Sequence, residues 1–286
     1  MEVIMSYKYE IGFIGCGNMG SAILKGIIGS SLSVPEKIAA SANSEATRNR
    51  LRSEYNINIE SNNTEIVKNS KVIFIAVKPA VFGQISDTIK SLFNPDQLII
   101  SVMAGKSLEV INNSLIGCDK FSDHSDASKN LQIVRAMPNT PALVGEAMSA
   151  LSYSESVTEE NKALASKIFN CFGKSEEIPE NLMDAVTGVS GSSPAYIYMM
   201  IEAMADEGVR AGLPRQKSYT FAAQAVLGSA KMVLETGKHP GELKDAVTSP
   251  GGTTIAGLAA LEEMGFRGTV MEGIHAAIMK SIDMSK

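Results

Sequence analysis

The chain has 286 residues, long enough for two domains, and its 44% apolar content supplies a substantial core. A net charge of -5 without a basic stripe excludes nucleic acid as an expected partner. No uninterrupted apolar run reaches the roughly 18 residues of a membrane span, and residues 1–10 lack the apolar core of a signal peptide.

Taken in chain order, residues 11–14 form a short apolar run, followed by a glycine turn and a helical stretch over 21–28. Residues 38–42, 72–77 and 98–103 read as further strands, with a helix over 108–115. Residues 133–137 and 148–153 read as later strands. Strands alternating with helices predict a parallel, doubly wound sheet. Residues 119–130 are polar, charged and aperiodic, and read as an exposed insertion.

After about Glu177 the composition changes, and Ala, Met, Gly and Leu dominate segments of helical length. This predicts an α/β domain over 1–177 and an all-α domain over 178–286. Ser193-Pro194 reads as N-cap and first residue of a helix over 195–211, ended by Gly212 and Pro214. The stretch Tyr196 to Met204 is apolar on nearly every face. A domain of this size can hardly surround such a helix, so a second subunit is its simplest cover. A more amphipathic helix follows over about 216–236.

Gly15-Cys16-Gly17-Asn18-Met19-Gly20 is a G-x-G-x-x-G between a predicted strand and a predicted helix, the context that dinucleotide binding requires. Its glycines permit a tight turn, close approach of backbone to a pyrophosphate, and packing of helix on strand. An NAD-preferring site would carry Asp or Glu at the end of the second strand. This chain has Ser41 and Asn43, with Arg48 and Arg50 shortly after. That favours NADP(H), with NAD(H) possible. The arginines either pair with a 2′-phosphate or are solvated helix residues. Cys16 reads as a small filler. The three cysteines, Cys16, Cys118 and Cys171, are far apart and fit a reducing cytoplasm. His124, His239 and His275 have no metal-like spacing, so no metal is expected.

Near the end, Val247-Thr248-Ser249-Pro250-Gly251-Gly252-Thr253-Thr254 opens into a helical pattern over 255–264. Such a loop presents bare N–H groups to an anion such as a carboxylate.

Five separated motifs in this order resemble pyrroline-5-carboxylate reductases over about residues 11–278. They are Gly12-Phe13-Ile14 with the glycine loop, Ala76-Val77-Lys78-Pro79, Met137-Pro138-Asn139-Thr140-Pro141, the run from Asp184 to Tyr196, and the loop from Asp245 to Thr254. The resemblance implies NAD(P)H-dependent reduction of a cyclic imine to L-proline, the last step of proline biosynthesis. It also implies a Rossmann-type N-terminal domain and a helical domain that dimerises, with dimers joining into larger rings. It places Ser41 and Asn43 at the adenosine ribose and Asn63 on the cofactor side. Ala76, Val77, Lys78 and Pro79 fall beside the nicotinamide ribose, with Ala104 at the next strand end. Glu180, Thr253 and Thr254 fall at substrate-contact positions. Ala246 stands where some members carry Asn, and the 119–130 insertion is longer than usual.

For such a substrate, Thr254 is the expected hydroxyl partner of the ring nitrogen, following its proton as the imine becomes an amine. Thr253 is expected to cap the helix. Backbone N–H groups from Gly252 to Thr254 would hold the carboxylate. Glu180 either positions water or the ring nitrogen or is a solvated acid, and Lys78 matters through its backbone. Two other readings remain. A β-hydroxyacid-dehydrogenase-like oxidoreductase would carry a lysine on the first long C-terminal helix, but none lies between Lys174 and Lys217. A non-catalytic NADP-binding sensor would keep the glycine loop without needing the second one.

Overall fold

The computed structural model describes residues 7–116 and 131–285. The 119–130 insertion, Cys118 and His124 lie outside the described residues. Two compact units emerge, one up to Gly191 joined by the chain from Ile278 on, the other Ser192–Ala277.

The first unit is built on eight strands. These are β1 Tyr9–Ile14, β2 Ile38–Ser41, β3 Asn58–Ile59, β4 Ser70–Ile75, β5 Leu98–Ser101, β6 Gln132–Pro138, β7 Ala147–Tyr153 and β8 Gly173–Glu177. Helices α1 Asn18–Gly29, α2 Glu45–Tyr55, α3 Asn63–Asn69, α4 Phe82–Ile89, α5 Leu108–Ile116 and α6 Glu159–Phe169 connect them. The sheet order is β3-β2-β1-β4-β5-β6-β7-β8. The central strands are near-continuous apolar runs because helices cover both faces. On one face Phe13 stacks on Phe74 with ring centroids 4.8 Å apart, and Phe169 and Phe172 close that layer. On the other, Ile14, Ile73 and Ile75 pack with Phe82 and Ile111.

One expectation is corrected here. β6 and β7 pair antiparallel, with Met137 opposite Ala150, so the sheet is mixed rather than wholly parallel. A parallel return needs a crossover of about a dozen residues or more. The link from Pro138 to Ala147 is too short for one and turns the chain straight back.

Before the second unit, α7 Met183–Val186 runs into a π-helical turn over Thr187–Gly191. Then come α8 Ser193–Arg210, α9 Arg215–Thr236, α10 Pro240–Ala246, α11 Thr253–Glu263 and α12 Phe266–Ser285. The N-cap of α8 is Ser192, without a side-chain bond, so Ser193 is the first helical residue rather than the cap. The preceding π turn already continues the helical path, and a free-standing cap is not needed. Gly212, at φ +98°, ends α8, with the Leu213 N–H returning to Gly208 O. Arg215 pairs with Asp206 across the α8–α9 turn.

Only Ala205, Ser218 and Ala222 are buried in this unit. Met199 is 68% exposed and Met271 71%. α8 and α9 leave between them an apolar groove of about 440 Å3, lined by Met200, Met204, Val226 and Val233. An exposed apolar surface of this extent marks an interface. No helix among the described residues is long and apolar enough to cross a membrane.

Candidate active site

β1 stops at Ile14 because Gly15 takes φ +75°, a value that favours glycine. Its N–H donates to Ser41 O at 3.0 Å, tying the glycine turn to the end of β2. A side chain at Gly15 would lie 2.5 Å from Val77 Cγ1 and 3.0 Å from Ala76 O, so the end of β4 closes on the same turn. Gly17 caps α1 without a side-chain bond, and a Cβ there would meet nothing within 4 Å. The N–H groups of Asn18, Met19 and Gly20 therefore point from an open helix start, where a phosphate can approach the backbone. Cys16 is buried, and that burial pushes its thiol up to about 11, even with Ser21 and Arg50 beside it pulling it down.

Around this turn the first unit gathers most of the anticipated cofactor residues. The buried Ser41 donates its hydroxyl to Asn63 Oδ1 at 2.6 Å. That leaves the Asn63 amide N–H2 as a donor without a partner among the described residues. Asn43 is exposed just beyond β2. Ala76 follows β4, its N–H donating to Ile14 O at 3.0 Å. Lys78 is exposed and caps a single 3-10 turn over Pro79–Val81 through its backbone. Ala104 is exposed past the end of β5. All stand at the carboxyl edge of the parallel strands, where ligands bind in open α/β sheets. An exposed approach at Gly17, helix N–H groups and a neutral amide at Asn63 fit a dinucleotide. The two arginines are not merely solvated. Arg48 donates to Ala42 O and Asn43 O, and Arg50 to Ser21 Oγ.

Glu180 is not a solvated acid either. Its Oε1 accepts from Arg135 Nη1 at 2.9 Å and from the Leu108 N–H at 2.7 Å. Arg135, on β6, is 7% exposed, and a charge so buried requires a partner. Neither Arg135 nor Asn139 was singled out from the sequence for a role. A cation inside the apolar run Ile133-Val134-Arg135-Ala136-Met137 was the available signal. Asn139 donates to Ser190 O and Oγ, both at 3.3 Å, and accepts from the Met148 N–H at 3.0 Å. It thereby joins the Met137–Pro141 motif to the π turn.

The second loop belongs to the helical unit. Ser249 O accepts from the Gly252 N–H at 3.1 Å, with Pro250 next and Gly251 at φ +65°. This is the residue pattern of a tight turn with proline second and glycine third. Gly252, not Thr253, is the N-cap of α11, and no side chain caps it. Thr253 is the first helical residue and is exposed, while Thr254 is second and half-buried. The glycine takes the cap because its extended backbone lets the turn run directly into the helix. Both hydroxyls, and the N–H groups of Thr253 and Thr254, lack partners among the described residues. No cluster of three or more metal-ligating side chains occurs among them.

Comparisons with known proteins agree in both units. The family described as pyrroline-5-carboxylate reductase dimerisation matches residues 180–284. The NADP oxidoreductase, coenzyme F420-dependent family matches residues 10–105. The pyrroline-5-carboxylate reductase of Escherichia coli (strain K12) is 47% identical over 277 residues, 97% of this chain and 98% of that protein. That of Arabidopsis thaliana is 41% identical over the full length of both. A crystal structure of Plasmodium falciparum pyrroline carboxylate reductase with NADP bound superimposes with a TM-score of 0.83 at 33% identity, covering 98% of this chain and 100% of that one.

Proposed function

The chain belongs to the pyrroline-5-carboxylate reductase family, and on that premise we propose how its own residues divide the work. The reaction is the NAD(P)H-dependent reduction of 1-pyrroline-5-carboxylate to L-proline, with NADP(H) as cofactor and NAD(H) as an alternative. The bound nicotinamide supplies the hydride. The N–H groups at the start of α1, around the open Gly17, hold the pyrophosphate. Ser41 fixes the Asn63 amide so that its N–H2 faces the cofactor, and Asn43 lies at the adenosine ribose. Gly15 holds Ala76 and Val77 against the glycine turn, which places the chain from Ala76 to Pro79, and Ala104 beyond it, on the nicotinamide side.

Gly252, Thr253 and Thr254 offer backbone N–H groups to the substrate carboxylate. The ring nitrogen is basic enough to carry its own proton. Thr254 Oγ1 therefore orients that nitrogen and follows its proton as the imine becomes an amine. Glu180 has Oε1 held by Arg135 and the Leu108 N–H and turns Oε2 to the substrate. The helical domain from 178 onward dimerises, dimers assemble into a ring, and the enzyme is cytoplasmic.

One observation carries this reading. The Ser249–Gly252 turn leaves a helix start and the Thr254 hydroxyl unspent, which suits a small anionic imine and serves no cofactor-only protein. Purified chain should oxidise NADPH on addition of 1-pyrroline-5-carboxylate. NADPH binding without imine-dependent loss of absorbance would favour the sensor.

A further inference from the structure

Arg48 and Arg50 lie two residues apart on α2, and their side chains run to different places. Arg48 lays Nη1 on the carbonyls of Ala42 and Asn43, at 2.8 and 2.9 Å. These carbonyls form the turn beyond β2, whose last residue, Ser41, is bonded to Gly15. The Nε and Nη2 groups of Arg48 have no partner among the described residues. Arg50 reaches the glycine loop instead. Its Nη2 donates to Ser21 Oγ at 2.8 Å and Cys16 O at 3.5 Å, and its Nη1 pairs with Glu54 at 3.4 Å.

We propose that Arg48 selects the 2′-phosphorylated cofactor, and that Arg50 is a positioning residue setting the glycine loop for either cofactor. The proposal rests on the NAD(P)H reading above and assigns it to particular side chains. The turn after β2 is where the adenosine ribose lies in this fold, and the neutral Asn43 stands where an acid would repel a 2′-phosphate. A guanidinium is a planar fork of N–H donors. Arg48 is held at the turn by Nη1 while Nη2 and Nε stay available, and those two groups form the edge that pairs with phosphate oxygens. Ordering this side chain on the two carbonyls in advance reduces the entropy lost when the phosphate arrives. Arg50 has no such spare role. Its Nη1 goes to a carboxylate and its Nη2 to a hydroxyl and a carbonyl, so no two-group edge is left, and it touches the loop that serves the pyrophosphate, which both cofactors share.

Equilibrium titration with NADPH and with NADH, read by nucleotide fluorescence, tests the assignment without turnover. Arg48→Gln should weaken NADPH about tenfold to a hundredfold while NADH stays within a factor of about two. It should also flatten the salt dependence of NADPH binding. Arg50→Gln should weaken both cofactors by a similar factor. Arg48→Lys keeps the charge but not the fork. It should lose part of the NADPH affinity with NADH unchanged, and it decides the matter if Arg48→Gln does not fold. Arg48 variants that leave the NADPH/NADH affinity ratio at the wild-type value, or an Arg50 variant that alone loses NADPH, would overturn the proposal. A wild-type chain that binds neither nucleotide would defeat the cofactor reading itself, a separate result.

Discussion

Arg135 and Glu180, forty-five residues apart in sequence, form an ion pair of 2.9 Å in which the arginine is almost wholly buried. The same carboxylate oxygen holds the first N–H of α5, so one side chain locks β6 to the start of a helix.

Removing that carboxylate should be expensive. Glu180→Ala strands a buried cation and frees the Leu108 N–H, a loss of about 3 kcal/mol, the low end for a broken buried pair because Glu180 keeps some contact with water. Glu180→Gln retains an acceptor and should fall between. Thermal melts of the three proteins check the order, and a Glu180→Ala midpoint equal to wild type would deny the lock.

Thr254→Ala should lower kcat/KM by one to two decades, the effect of a hydrogen bond worth about 1–3 kcal/mol. NADPH affinity should hold, since the hydroxyl serves only the ring nitrogen. A fully active variant removes Thr254 from the reaction.

Met200 lines the apolar groove between α8 and α9. Met200→Glu places an unpaired charge there and should cost several kcal/mol of association. Dimer and activity should disappear together in sedimentation and assay. A wild-type monomer that is stable and fully active at nanomolar concentration would refute the interface.

Cys16 should be chemically quiet despite its place in the glycine loop. Its thiol, pushed up to about 11 chiefly by burial, is neutral at ordinary pH, and only the thiolate is nucleophilic. Alkylation at Cys16, followed by mass spectrometry, should be negligible at pH 8 and rise only as pH approaches 11. Rapid labelling at pH 8 would show an open, activated thiol.

The central strands were legible because burial on both faces writes them as apolar runs. The edge strands were not. β8 carries Lys174, Glu176 and Glu177, all exposed, and β3 is two residues long, so neither shows an apolar pattern. Charged and short edges are how sheets avoid pairing with other chains. The glycine loop could be read because its chemistry is local. Glu180 could be named from its motif, but its ion pair could not, because the partner, Arg135, comes from a different strand. The cap at Gly252 was assigned to a threonine by side-chain preference, whereas the turn before it decides backbone geometry first.

With three buried residues, the helical unit has almost no interior of its own. Its thermodynamics are therefore bimolecular. Its helices are expected to settle only once a second copy covers them. The melting temperature of the helices should climb with protein concentration, as mass action requires when folding and association are one event.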